Sequence, residues 1–171
     1  MSNKTWLLAM DLDGTVWDHL DISSVQPPYI RIDEGIIENT KGIKIKVYKE
    51  AIDFIKWSKN NGAIVTSLSW NITKYAMEAL KVLGIENLFD YHLIEYHPEK
   101  YKLLLKLLKE LENKGIKILP KNIVYIDDRD IHINDIKKYI GDIIFIWMWK
   151  NTKNYDDVKK IIIEKVIGSG I

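Results

Sequence analysis

Short, nearly continuous apolar runs alternate with longer amphipathic stretches along most of the chain, and this alternation limits the fold more than any other feature. The runs are TWLLAMD (5–11), AIVTSLS (63–69), YHLIEY (91–96), NIVYIDD (122–128) and DIIFIWMW (142–149). They are too short for buried helices and too apolar for strands with one wet face, so they read as the buried strands of a parallel sheet. Between them the spacing predicts helices. One covers Lys49–Asn61, where Ala51, Ile52, Phe54, Ile55 and Trp57 recur on one face and Gly62 stops it. A second follows Asn71 as N-cap and ends at Gly84, and a third has Pro98 in its first turn and runs to about Lys114. Two more are expected over 131–140 and 155–167, with the tail GSGI fraying. Strand–helix alternation of this kind predicts an α/β sandwich with helices on both faces of the sheet.

One stretch breaks the pattern. Residues 18–48 carry a loop, SSVQPPYI, stopped by Pro27 and Pro28, and then IIENTKGIKIKVY. The second piece predicts a β-hairpin over 36–48 turning at NTKG, with Gly42 supplying the left-handed backbone angle. No repeat or linker divides the remaining sequence, so residues 1–171 are expected to form one domain with 18–48 as an insert near its site.

Composition removes several classes of function. The formal net charge is +1, which offers nucleic acid or an anionic membrane no attraction. There is no cysteine, hence no disulfide framework, thiolate metal site or thiol nucleophile. No apolar run reaches the length of a membrane span, and MSNKTWLLAMD is too short in its apolar part for a secretion signal. A cytoplasmic protein, monomer or homodimer, is expected.

The chemistry is suggested by where the acids fall. The first apolar run ends in Asp11 and Asp13 with Gly14 next, and the fourth ends in Asp127 and Asp128. Open parallel sheets bind ligands beyond the carboxyl ends of their strands, where strand order reverses. Several carboxylates meeting there repel one another unless a cation joins them, and Mg²⁺ suits oxygen ligands shared with a phosphate. Asp11 at the strand end is placed to attack phosphorus, and Asp13 on the loop to hand a proton to the leaving oxygen.

DLDGT resembles the first signature of the haloacid dehalogenase-like (HAD) phosphotransferases, in the form DxDGT. Ser69 at the end of the second core strand, Lys100 at the start of the helix after the third, and YIDD at the end of the fourth match the other three signatures in order. The resemblance implies a Rossmann-like sheet of order 3-2-1-4-5 and a phosphatase without a large cap domain, carrying only a small β-hairpin flap. DLDGTVW, the Pro-Pro loop and the chain length are similar to the magnesium-dependent phosphatase-1 family. That family has Arg after the serine, where this chain has Trp70.

By this resemblance Asp11 is the nucleophile and Asp13 the general acid and base. Asp11, the Asp13 carbonyl and Asp128 hold Mg²⁺, with Asp127 beside them. Ser69 and Lys100 bind the phosphate. Further substrate contacts are expected from Gly14, Trp17 and Trp70, and a site lined by Trp17, Tyr29 and Trp70 predicts aryl or sugar-type phosphates, small or on a phosphoprotein.

Other residues have plainer readings. Lys102 is expected on the surface, and Ser67 along the strand. His132 is expected as a helix-start surface residue, or in touch with the metal network. His97 lies by the Lys100 loop. Trp147 and Trp149 are expected as a strand pair pointing one way, with Trp6 and Trp57 in the core or an interface. Arg129 is expected to pair with local acids such as Asp130, or to reach a substrate anion. Competing readings are a phospho-receiver domain, an idle phosphate-binding module and a nucleic-acid end phosphatase. Strand three ends in IEYHP, without the aspartate a receiver needs, and retention of Asp13 favours phosphorus chemistry.

Overall fold

The computed structural model describes residues 5–168. In chain order the elements are β1 (Trp6–Met10), β2 (Tyr29–Asp33), β3 (Ile36–Asn39), β4 (Lys44–Lys46), α1 (Lys49–Asn60), β5 (Ala63–Trp70), α2 (Thr73–Leu83), β6 (Tyr91–Glu95), α3 (Lys100–Asn113), β7 (Ile123–Asp127), α4 (Ile133–Ile140), β8 (Ile144–Trp147) and α5 (Tyr155–Ile162), which continues as a π-helical turn over Ile163–Ile167. The tail beyond Gly168, expected to fray, lies outside the described residues.

β1 is buried along its whole length because it runs through the middle of a five-stranded sheet of order β6-β5-β1-β7-β8. Its neighbours are parallel, in register from Trp6 opposite Ala63 on one side and Leu7 opposite Ile123 on the other. This is the expected 3-2-1-4-5 order. The strand alternation divides the core in two. Trp6, Leu8 and Met10 face α1, α2 and α5, where Phe54, Ile55, Leu80 and Val158 pack. Leu7 and Ala9 face α3 and α4, where Leu104, Leu107 and Ile136 pack. The chain leaves β1 towards β5 and β6, then crosses back to β7, so the strand order reverses beside β1.

The insert holds the predicted hairpin, β3 with β4, turned by Gly42 at φ 78° and by Asn39, whose Oδ1 accepts from the N–H groups of Lys41 and Ile43. Tyr29–Asp33, of which Tyr29 and Ile30 belong to the expected loop and the rest carries no expectation, adds β2 as a third antiparallel strand. The loop reading fails there because the prolines stop regular structure only up to residue 28. Beyond them Tyr29 is buried while Ile30 and Ile32 are exposed, which hides the alternation a strand normally shows. The insert is tied back to the loop after β1: Tyr48 N–H donates to the Val16 carbonyl, and Lys46 N–H to Asp18 Oδ1.

Three local expectations are corrected. Ile72, not Asn71, is the N-cap of α2. α3 begins at Lys100 with Pro98 before it, its carbonyl accepting from the Lys100 N–H. β8 ends at Trp147, and Trp149 adopts φ 69°, so the two indoles are not a strand pair. Among the described residues no helix is long and apolar enough to cross a membrane.

Candidate active site

The carboxyl edge of β1 and β7 brings Asp11 and Asp127 together, and the Asp11 N–H extends the pairing by donating to the Ile126 carbonyl at 2.9 Å. The Lys100 side chain, from the first turn of α3, fills the space between them. Its Nζ donates to Asp11 Oδ1 at 2.9 Å and to Asp127 Oδ2 at 2.8 Å, with the Tyr125 hydroxyl at 3.3 Å. Tyr125 also donates to Asp127 Oδ2, and the Arg129 N–H donates to Asp127 Oδ1. Lys100 is only 1% exposed, whereas Lys102 is exposed and pairs with Glu99, as expected for a surface lysine.

One ammonium among several buried carboxylates sets the electrostatics. Burial favours neutral Lys100, but the Asp11 and Asp127 charges outweigh it and hold its pKa above the usual value. Burial works against ionised Asp127 too, and there the Lys100 charge and the donated bonds prevail and hold the carboxyl low. At Asp11 burial wins: the carboxyl is pushed well above its ordinary range, with Lys100 opposing and Asp127 and Asp13 reinforcing. Burial and then the Asp127 charge push Asp128 up to about 6. Oxygens of Asp11, Asp127 and Asp128 lie within 4.8 Å of one another. Asp11 Oδ2 and Asp128 Oδ1 are buried with no partner among the described residues. Unpaired buried acceptors of this kind are costly, and a hard dication removes both the repulsion and the missing contacts. The donor set therefore fits Mg²⁺.

Gly14 is required by this packing. Its φ is 66°, and a Cβ there would sit 2.4 Å from Asp128 Oδ2. The two loops are also held from behind. Trp147 donates its indole N–H to the Asp128 carbonyl, Trp149 to the Gly14 carbonyl, and Tyr155 its hydroxyl to the Thr15 carbonyl.

Asp13 has a different setting. Its Oδ1 accepts from the Trp17 indole at 2.7 Å and the Ile22 N–H at 3.2 Å, and its Oδ2 from Asn71 Nδ2 at 2.9 Å. The same Asn71 nitrogen donates to Ser69 Oγ at 2.7 Å, while Asn71 Oδ1 accepts from Ser23, which in turn accepts from the Ile72 N–H. Burial raises the Asp13 pKa and the three donors oppose it. Asn71 thus joins two site residues, a part the sequence reading missed by assigning it to a cap. The available signal was its place two residues after Ser69.

Asp13 opens onto a cavity of about 230 Å³, walled by Leu20, Trp70 and Tyr96 and edged by Asp21, Ser23 and Arg129. Two expected wall residues are elsewhere. Trp17 is fully buried, because its indole is spent on Asp13 and its ring on the core. Tyr29 is buried with its hydroxyl on the Val25 carbonyl. Trp70 does line the cavity, its ring edge-on to His132. His132 is not a surface residue: it is 5% exposed at the start of α4, and burial, with Lys100 nearby, depresses its pKa to about 4. His97 pairs with Glu95 at the surface, and Ser67 bonds to His92. Larger hollows lie between α1 and α5 and beside β8, without converging buried side chains.

The model of the family described as Acid Phosphatase matches residues 5–147. Among solved structures, a HAD-superfamily hydrolase from Geobacter sulfurreducens aligns with TM-score 0.64 and 12% identity, over 94% of this chain and 99% of that one. The 3-deoxy-D-manno-octulosonate 8-phosphate phosphatase of Moraxella catarrhalis, holding magnesium, phosphate and KDO, aligns at 0.55 and 20%, over 95% and 87%. The N-terminal part of protein BF1531 from Bacteroides fragilis, with a phosphatase domain and Mg, aligns at 0.59 and 16%; 94% of this chain is covered but only 40% of that one. A search of the curated proteins finds no match.

Proposed function

The chain belongs to the acid phosphatase family, with the HAD fold, and is a phosphoric monoester hydrolase; from that premise we propose that it works through a phosphorylated Asp11 with Mg²⁺ at the acid cluster. The observation that carries this reading is the pair of buried oxygens on Asp11 and Asp128 that have no partner among the described residues, with Lys100 gripping the other oxygen of Asp11.

Asp11 and Asp128 with the main-chain carbonyl of Asp13 hold the cation, and Asp127 steadies Lys100 beside them. Mg²⁺ neutralises charge on the phosphoryl oxygens when bound. A carboxylate oxygen of Asp11 attacks phosphorus, and the P–O bond to the leaving group breaks. Asp13, as the carboxylic acid, gives its proton to the departing oxygen. A water then attacks the acyl phosphate, Asp13 takes back a proton, and phosphate leaves with Asp11 restored. Ser69 donates its hydroxyl and Lys100 its ammonium to the phosphoryl oxygens through the loose transition state.

Structural neighbours include a sugar-phosphate phosphatase, and the cavity over Asp13 is small and part-aromatic. Both favour aryl or sugar-type monophosphates as substrates, with phosphoprotein side chains as the second class to test. The DLDGTVW opening resembles that of the magnesium-dependent phosphatase-1 family and supports reading the chain as its relative, with Trp70 as a departure. A panel of phosphate esters with Mg²⁺ and with EDTA tests the reading. Hydrolysis that needs Mg²⁺ and disappears in Asp11→Asn supports it. Full activity in EDTA, or in Asp11→Asn, overturns it.

A further inference from the structure

Of the 25 basic residues in the chain, 23 are lysines, so each of the two arginines stands out as a specific choice. Arg31 lies on β2, its Nε on the Asp33 carbonyl. Arg129 lies at the mouth of the site, two residues after Asp127, with its backbone N–H fixed on that carboxylate. Its exposed guanidinium makes no ion pair or side-chain hydrogen bond among the described residues, although Asp130 is adjacent. It edges the same cavity onto which Asp13 opens.

Resting on the phosphatase reading, we propose that this cavity is the leaving-group subsite, and that Arg129 selects monophosphates whose leaving group carries a second anion, a carboxylate foremost. The Asp13 position fixes what the cavity receives. A group that protonates the departing oxygen must touch it, so whatever fills the space above Asp13 is the alcohol or phenol portion of the ester. The volume of about 230 Å³ equals roughly eight waters, enough for one ring with a substituent. Trp70, 36% exposed, and Tyr96, 69% exposed, offer flat apolar faces to such a ring.

The polar edge is one-sided. Asp21 and Asp13 make part of the lining acidic, and Arg129 is the one cation on it. An anionic substituent is repelled from the Asp21 side and received by Arg129, whose planar fork matches a carboxylate with two N–H bonds. The arrangement therefore selects the position of the charge on the leaving group as well as its sign.

The test uses 4-carboxyphenyl and 4-carbamoylphenyl phosphate, which have nearly the same shape and differ in charge, and reads the ratio of their kcat/KM values with Mg²⁺. The wild-type ratio is expected to be about tenfold in favour of the carboxylate, the size of one charge-assisted contact at a partly exposed site. Arg129→Gln should bring the ratio to one or below, and Arg129→Lys should keep part of it. Asp21→Asn, which retains the oxygen that accepts from the Ser23 N–H, should raise the ratio. A wild-type ratio near one, or a ratio unmoved in Arg129→Gln, overturns the proposal while leaving the phosphatase reading intact. Failure to hydrolyse either ester under Mg²⁺ across the wider panel overturns both.

Discussion

Asp11 and Asp13 sit two residues apart on one loop, yet their surroundings share little. Asp11 is held by charge: Lys100 binds one oxygen, Asp127 and Asp128 crowd it, and the other oxygen has no partner among the described residues. Asp13 is held by three neutral donors, the Trp17 indole, the Ile22 N–H and the Asn71 amide, with no lysine beside it. Neutral donors orient a carboxyl without forbidding it a proton, and burial favours the protonated form. At Asp11 burial outweighs the Lys100 ammonium and raises the carboxyl as well, so it is a dication at the cluster that would keep this carboxylate charged and nucleophilic. On the proposed mechanism one loop then carries a nucleophile and a proton donor without the two exchanging roles.

The comparison breaks most visibly at Asp11. On the proposed mechanism Asp11→Asn keeps the shape and removes the nucleophile, so turnover of any ester should fall at least ~10⁴-fold, a loss larger than general acid–base catalysis alone supplies. Steady-state kinetics with a sensitive phosphate assay checks this. Asp13→Asn should cost about 10²–10⁴-fold. It should cost least for esters with good leaving groups such as 4-nitrophenyl phosphate, because these need little protonation. Equal losses on good and poor leaving groups would remove Asp13 from the proton-donor role.

This division was half legible in the sequence. Strand order followed from the alternation and the resemblance, and the acids were found because charge at the end of an apolar run is conspicuous. Lys100 was singled out only through the third signature of the resemblance, a lysine near a helix start, and the structure sets its Nζ between Asp11 and Asp127. What the residues around the acids do was not legible. Trp17 looked like a pocket wall because an aromatic residue in a loop offers area, and sequence does not say whether its indole N–H is engaged. Asn71 looked like a cap because Asn before a helix often is one; its amide turned inward because Ser23, from the insert 48 residues away, supplies the bond that orients it. Trp147 and Trp149 read as strand residues; Trp147 does end β8, but Trp149 lies past it in a left-handed turn, and their indoles donate to the two site loops. The Asn71 and Trp149 misses depend on contacts between distant segments, and the Trp17 miss on which way an indole turns within its own loop; local pattern encodes neither.

Asn71 sharpens the comparison on the Asp13 side. Asn71→Leu removes the donor shared by Asp13 and Ser69 and leaves a buried carboxylate oxygen unmatched, a loss of about 1–3 kcal/mol. kcat is expected to fall about 10–100-fold. The alkaline limb of the pH profile, where Asp13 loses the proton it must donate, should move upward, because losing a donor to the ionised form raises the Asp13 pKa further. An Asp variant at this position would add repulsion and should be worse than Leu. If Asp were the better of the two, the amide would not be acting as a donor.

The smallest effect concerns stability, on the Asp11 side. His132 is buried near Lys100 with its pKa depressed from 6.5 to about 4, first by burial and then by that charge. The unfolded chain binds the proton more readily than the fold does. The stabilisation is therefore fully present above pH 6.5 and is lost as pH falls towards 4, by about 2 kcal/mol at pH 5. Asp128 works in the opposite sense: its folded pKa is raised to about 6, so protonation below that value favours the fold. The two trends overlap between pH 6.5 and 4, and the melting temperature of the wild type alone cannot separate them. The difference between wild type and His132→Phe can, since Asp128 is common to both. Metal-free protein melted at pH 7.5 and pH 5 should show the wild type losing several degrees more than the variant. Parallel losses would mean that His132 is solvated enough to take its proton in the folded state, and that Lys100 does not hold it neutral.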